Sequence, residues 1–254
     1  MIIDSFDDKS EAKINPEFKK GSPKVDACIV TFSYVLEKYA IEKFKCKKIA
    51  EFKFATGITP IYEINYKGKR FAFYKTYVGA PACVGTLENA IQVLDTKKFV
   101  VFGGSGCLNK EIAHGKVVVP FQAYRDEGTS YHYQRASDYI DVKNAKIVSE
   151  FMKENKIPYV EGKTWTTDAF YRETINNMEK RKKDGCISVE MECAGLQAMC
   201  NFRNLEFYTF LNSGDLLDSP KWDQRHLEGE FKGTQHDSRL FDIAIELANY
   251  VCEK

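Results

Sequence analysis

Residues Ser188-Val189-Glu190-Met191-Glu192-Cys193-Ala194-Gly195 set two acids among apolar neighbours, directly after a short apolar run and directly before a helical pattern. An unpaired carboxylate in apolar surroundings carries a heavy desolvation cost. Glu190 or Glu192 therefore needs a hydroxyl pair, a cation or a proton. The run 186–189 reads as a buried strand and the residues from Glu190 to about Asn201 as a helix, so the octet is a strand-to-helix junction. Ligands of α/β sheets bind at such junctions, outside the carboxyl ends of strands. Acids at a helix N-terminus also suit the macrodipole with no ligand at all; taken alone, the octet is compatible with both.

Outward from this junction the two periodicities alternate. Apolar runs at 27–32 and 99–102 read as buried strands, and 49–55, 61–66 and 71–77 read as a meander with Lys67-Gly68-Lys69 as one turn. Further strands cover 116–124, past Pro120, and 159–164, while helical spacing covers 35–40, 82–94, 142–155 and the basic stretch 174–183. Downstream lie a strand over 205–211 and an amphipathic helix over 238–252 with Leu240, Ile243, Ile245, Leu247 and Val251 apolar. Strands alternating with helices, together with the antiparallel-looking meander, argue for an α/β fold: one three-layer sandwich around a mixed sheet. Residues 1–24 read as a polar N-terminal lead-in and 25–254 as a single domain.

A chain of 254 residues can bury a sizeable core. Lys and Arg number 37 against 36 Asp and Glu, so there is no global electrostatic case for nucleic acid or an acidic membrane. The first 25 residues hold no apolar core of a signal peptide and no later run could span a bilayer, which makes a cytoplasmic protein the expectation. The eight cysteines are scattered without a Cys-x-x-Cys pair and read as reduced thiols. Cys186, Cys193 and Cys200 recur every seven residues, a spacing better explained by small buried hydrophobes than by a metal.

Five other segments carry chemistry. Phe102-Gly103-Gly104-Ser105-Gly106 follows an apolar strand, and its glycines would let backbone N–H groups approach a ligand as an anion nest does. Trp165-Thr166-Thr167-Asp168-Ala169-Phe170-Tyr171-Arg172-Glu173 gathers aromatics, hydroxyls and charges after a strand, a mix common in binding loops. Leu211-Asn212-Ser213-Gly214-Asp215 ends a strand on an acid that desolvation could turn into a proton donor, with Asp218 as its competitor. Arg125 to Tyr133 leaves another strand and includes His132, while Trp222-Asp223-Gln224-Arg225-His226 has the polarity of a loop over a site.

In their order, the Val189-Glu190-Met191-Glu192 segment, the Asp168-Ala169-Phe170-Tyr171 segment and the strand-end acid resemble the nucleoside phosphorylase family, purine nucleoside and uridine phosphorylases with related nucleoside hydrolases. The resemblance runs from about Val25 to Val251. It implies a central sheet that is partly barrel-like and a homodimer or hexamer. It also implies a nucleoside-binding site of Phe170 stacked on the base, Val189, Glu190, Gly106, Met191 under the sugar, Glu192 on the ribose hydroxyls, and Ser213 with Asp215 as the family's base-binding Ser-Asp pair with Gly214 inserted, Asp215 being the catalytic acid. By the same resemblance the co-substrate is phosphate, with no cofactor or metal, and the product is base and ribose 1-phosphate from a purine nucleoside. The pattern breaks at phosphate. Where the family carries arginines, this chain has Thr31-Phe32-Ser33-Tyr34-Val35-Leu36, Val101 and, approximately, Gly57. Gly104, Ser105, Arg125 and Arg172, with Thr86, are the substitutes the sequence offers. The alternatives are a hydrolase using water, whose usual glutamate is also missing at Phe32-Ser33-Tyr34, and a silent nucleoside-binding protein.

Overall fold

The computed structural model describes residues 1–55, 57–224 and 235–254. Its strands are β1 (Ala27–Thr31), β2 (Lys47–Phe54), β3 (Gly57–Tyr66), β4 (Lys69–Lys75), β5 (Lys98–Cys107), β6 (Val117–Asp126), β7 (Tyr139–Asp141), β8 (Tyr159–Thr167), β9 (Cys186–Glu190) and β10 (Glu206–Leu216). They form one sheet in the order β10-β6-β8-β9-β5-β1-β4-β3-β2, with β7 on β6. A parallel ladder between β10 and β5 closes β5, β9, β8, β6 and β10 into a ring. The rest of the sheet extends from β5 as an open wing. This is the mixed, partly barrel-like α/β architecture the sequence suggested.

The helices are α1 (Tyr34–Phe44), α2 (Ala80–Val93), α3 (Lys110–Ala113), α4 (Ser130–Tyr133), α5 (Ala145–Glu154), α6 (Ile175–Lys183), α7 (Cys193–Arg203) and α8 (Gln235–Val251). Helices α1 and α5 both pack on α8, and α2 and α4 both pack on α7. Local chemistry sets the ends. The Ser33 hydroxyl accepts from Leu36 N–H at 3.3 Å to cap α1, and Pro81 occupies the first turn of α2, where its missing N–H is harmless. All five residues of β1 are buried, as a two-sided parallel strand requires. The core is aromatic: Phe71, Phe73, Phe99, Phe102, Phe207, Phe210 and Phe241 are buried, with Phe102 stacked on Phe210 at 5.3 Å.

Two strands run further than their apolar runs. β5 continues through Gly103 to Gly106, pairing with β10 and β9, so the glycine segment is strand and not the loop that an anion nest needs. The missing side chains are used for packing. A Cβ on Gly103 would stand 2.9 Å from the Phe32 ring, and one on Gly106 would stand 2.9 Å from Val189 Cγ1 and closer still to Leu217. β10 likewise continues past Leu211 to Leu216, with a register shift between Ser213 and Leu216. Pro120 sits beside a similar shift in β6, where a strand tolerates proline. The lead-in is anchored at points, Lys19 N–H donating to the Gln92 carbonyl at 2.8 Å and Asp8 pairing with Arg135 at 3.0 Å. No helix among the described residues is long and apolar enough to cross a membrane.

Candidate active site

The ring strands end around a cavity of about 640 Å³. Thr31, Phe32, Ser33 and Leu36 line it from the end of β1 and the start of α1; Phe102 to Gly106 line it from β5. Glu190, Met191 and Glu192 reach it from the β9–α7 junction, Asn212, Gly214 and Asp215 from β10, and Phe170, Tyr171, Glu173, Leu217 and Trp222 from the loops.

The two glutamates of the junction do different work. Glu190 is buried, and its Oε1 accepts from the Thr166 hydroxyl at 2.5 Å while Oε2 accepts from the backbone N–H groups of Glu192 at 2.7 Å and Cys193 at 2.6 Å. It caps the N-terminus of α7, and burial raises its pKa against those bonds. Glu190 lines the cavity as expected of a nucleoside-binding residue, but both its oxygens are engaged by the protein. Glu192 instead accepts from Gly79 N–H at 2.6 Å through Oε1, and burial and then Glu190 push its pKa up to about 8.

Asp215 takes its place through the irregularity in β10. Ser213 pairs with Ser105 and Leu216 with Cys107, so β10 carries one more residue than β5 across the same interval. This is a β-bulge, and it absorbs the extra Gly214. Asp215 faces the cavity, where the Trp222 indole donates to its Oδ2 at 2.6 Å. Ser213 lies on the other face, buried, and does not line the cavity, so the structure does not bring it to the base position. Asp218 is engaged elsewhere, accepting from Lys110 N–H at 2.9 Å and pairing with Lys182 at 2.8 Å, contacts that lower its pKa.

Of the expected residues, Phe170, Val189, Met191, Glu192, Gly104, Ser105, Gly106 and Asp215 share one cavity. Arg125 and Arg172 do not join them. Arg125 is buried at the far side of β6, where its guanidinium donates to Ser130 and Ser137 hydroxyls at 2.8 and 3.0 Å and to the Arg135 and Gln134 carbonyls, and stacks on Tyr131 at 4.2 Å. Arg172 is exposed and outside the lining. Thr86 is buried against Thr76 at 2.6 Å. His132 is exposed and lies off the cavity, and Arg225 and His226 lie outside the described residues. Sequence reasoning missed Glu173 as a lining acid and Trp222 as the partner of Asp215; the signal for Glu173 was an acid three residues after the stacking aromatic.

Residues 27–244 match the family model described as the phosphorylase superfamily. The chain belongs to that superfamily. A purine nucleoside phosphorylase DeoD-type from Exiguobacterium sp. is 25% identical over 187 residues, 72% of this chain and 75% of that one. Another, from Thermoanaerobacter sp., is 26% identical over 224 residues, 87% and 89% of the two chains. A crystal structure of uridine phosphorylase from Vibrio fischeri superposes with a TM-score of 0.72 at 20% identity, covering 93% of this chain and all of that one. Within this phosphorylase-superfamily fold, the described lining holds four carboxylates, from Glu173, Glu190, Glu192 and Asp215, and no lysine, arginine or histidine.

Proposed function

We propose that the protein cleaves the N-glycosidic bond of purine nucleosides with phosphate as acceptor, giving free base and ribose 1-phosphate. The reading rests on one juxtaposition: a carboxylate held by a backbone N–H (Glu192), an exposed aromatic (Phe170) and an indole-anchored acid (Asp215) all line a single cavity large enough for a nucleoside. Glu192 would accept from both ribose hydroxyls. Phe170 would stack on the base, and Asp215 would protonate a purine N7 as the bond to C1′ breaks through an oxocarbenium-like state. The substrates are nucleoside and phosphate with no cofactor, the setting is the cytoplasm, and the assembly is a homodimer or a hexamer of dimers. Relatives carrying purine nucleoside phosphorylase names over most of the chain support the purine reading.

A second reading is favoured by the charge of the wall. Phosphate dianion is held best by arginine forks, and the described lining offers the Thr31, Ser33 and Ser105 hydroxyls but no cation. Water as nucleophile needs no cation, which makes the protein a hydrolase on this view. Inosine, adenosine and uridine incubated with and without phosphate separate the readings. Phosphate-dependent loss of purine nucleoside is expected; phosphate-independent loss makes it a hydrolase, a uridine preference sinks the purine assignment, and saturable binding without turnover makes it a binder.

A further inference from the structure

We propose that Glu173 is a specificity-determining residue that accepts a hydrogen bond from the exocyclic amine of a 6-aminopurine nucleoside, so that the site takes amino-purines in preference to oxo-purines. This rests on the nucleoside reading of the cavity. Glu173 closes the 3₁₀ turn Phe170–Arg172, which presents the Phe170 and Tyr171 rings 4.0 Å apart, and it lines the cavity together with Asp215 and Trp222.

Among the acids of this wall Glu173 alone receives no hydrogen bond from a described residue. Glu190 receives two backbone N–H groups and a threonine hydroxyl, Glu192 receives Gly79 N–H and Asp215 receives the Trp222 indole. No described residue donates a hydrogen bond or a salt bridge to the Glu173 carboxyl. A partly buried acceptor without a donor is a standing cost that a ligand donor removes. Burial, and then the facing Asp215 carboxylate, push its pKa up to about 7.

The purine skeleton decides which donor that is. On the ring, the substituent at position 6 is the nearest neighbour of N7, so an acid beside the N7 partner Asp215 addresses position 6. An amine there donates two N–H bonds. A carbonyl there offers only lone pairs, which an ionised carboxylate repels and which a site built to accept rejects strongly.

The test is the ratio of kcat/KM for adenosine over inosine, measured at pH 8 and pH 6 in the parent, in Glu173→Gln and in Glu173→Asp. The parent should prefer adenosine at pH 8. Glu173→Gln should lower the ratio about tenfold or more, because the amide can donate to O6, and Glu173→Asp should restore part of the preference. In the parent the ratio should fall from pH 8 to pH 6 as Glu173 gains its proton. Among the described lining residues Asp215, Glu190, Glu192 and the Tyr171 phenol are the other ionisable groups, and any part of the fall they cause persists in Glu173→Gln. An unchanged ratio in the Gln variant with cleavage intact, or a parent that prefers inosine at pH 8, overturns the role of Glu173. A parent that neither binds nor cleaves either nucleoside overturns the nucleoside reading itself and takes this inference with it.

Discussion

The Trp222 indole donates to Asp215 Oδ2 at 2.6 Å, leaving Oδ1 on the side of Gly106 and the cavity. An acid held by one oxygen presents the other in a fixed direction, the arrangement a general acid needs. Asp215→Asn is expected to lower kcat for inosine or adenosine by roughly 10²–10⁴-fold and to spare a riboside whose leaving group needs no proton. Trp222→Phe should give a smaller loss of the same kind. Steady-state rates on both substrate types check this, and an Asp215→Asn enzyme that cleaves purine nucleosides normally would end the assignment.

Glu192 carries a pH signature. Its carboxyl, raised to about 8 by burial and by Glu190, accepts from ribose hydroxyls fully only when ionised. Nucleoside affinity is therefore expected to rise as pH climbs through about 8, and Glu192→Gln should flatten and weaken it. Stability runs the other way. A carboxyl whose folded pKa lies above its unfolded value binds its proton more tightly in the folded state, so ionisation destabilises the fold increasingly from about pH 4.5 to about pH 8. The Gln variant should thus melt above the parent at pH 9, with the gain shrinking at pH 5; calorimetric titration and melting curves test both signs.

Arg125 separates structure from phosphate chemistry. Its guanidinium bonds to two hydroxyls and two carbonyls in a buried setting. Arg125→Ala should cost about 3 kcal/mol of stability, the scale of losing charge-assisted bonds and orphaning their partners, with the KM for phosphate unmoved in the folded fraction. A selective rise in that KM without a fall in melting temperature would return Arg125 to the anion site.

Gly106→Ala tests how the cavity is made. The added methyl meets Val189 and Leu217, both lining residues. Overpacking of this kind costs about 1–3 kcal/mol, and here it also displaces the walls of the nucleoside site. Nucleoside affinity should fall more than stability alone explains, whereas Gly104→Ala, with nothing within 4 Å of its Cβ, should fold as the parent does.

Most of the architecture was legible because strand and helix periods are local. The Ser188–Gly195 octet announced its junction, and Phe170, Glu192 and Asp215, singled out by the family resemblance of their segments, line one cavity. What was illegible depends on partners distant in sequence. Whether Glu190 or Glu192 faces the ligand is decided by Thr166, 24 residues before Glu190, whose hydroxyl claims the first acid. Gly103 to Gly106 read as a loop because glycine has little strand propensity, yet pairing of β5 with β10 keeps the segment in the sheet, and Phe32 at Gly103 and Val189 and Leu217 at Gly106 fill the space side chains would take. Arg125 looked available because no local pattern brings Ser137 and the Gln134 carbonyl around it.

The bulge at Gly214 separates the length of β10 from its chemistry. In a regular strand one inserted residue reverses the facing of everything after it, and Asp215 would point out of the cavity while Leu216 pointed in. Because the bulge takes up the insertion, the acid keeps its address. Related chains can therefore differ by a residue here and still present the same carboxylate. Letter-by-letter pairing with a chain that lacked the extra residue would shift the acid by one position, whereas pairing by strand register would keep it in place.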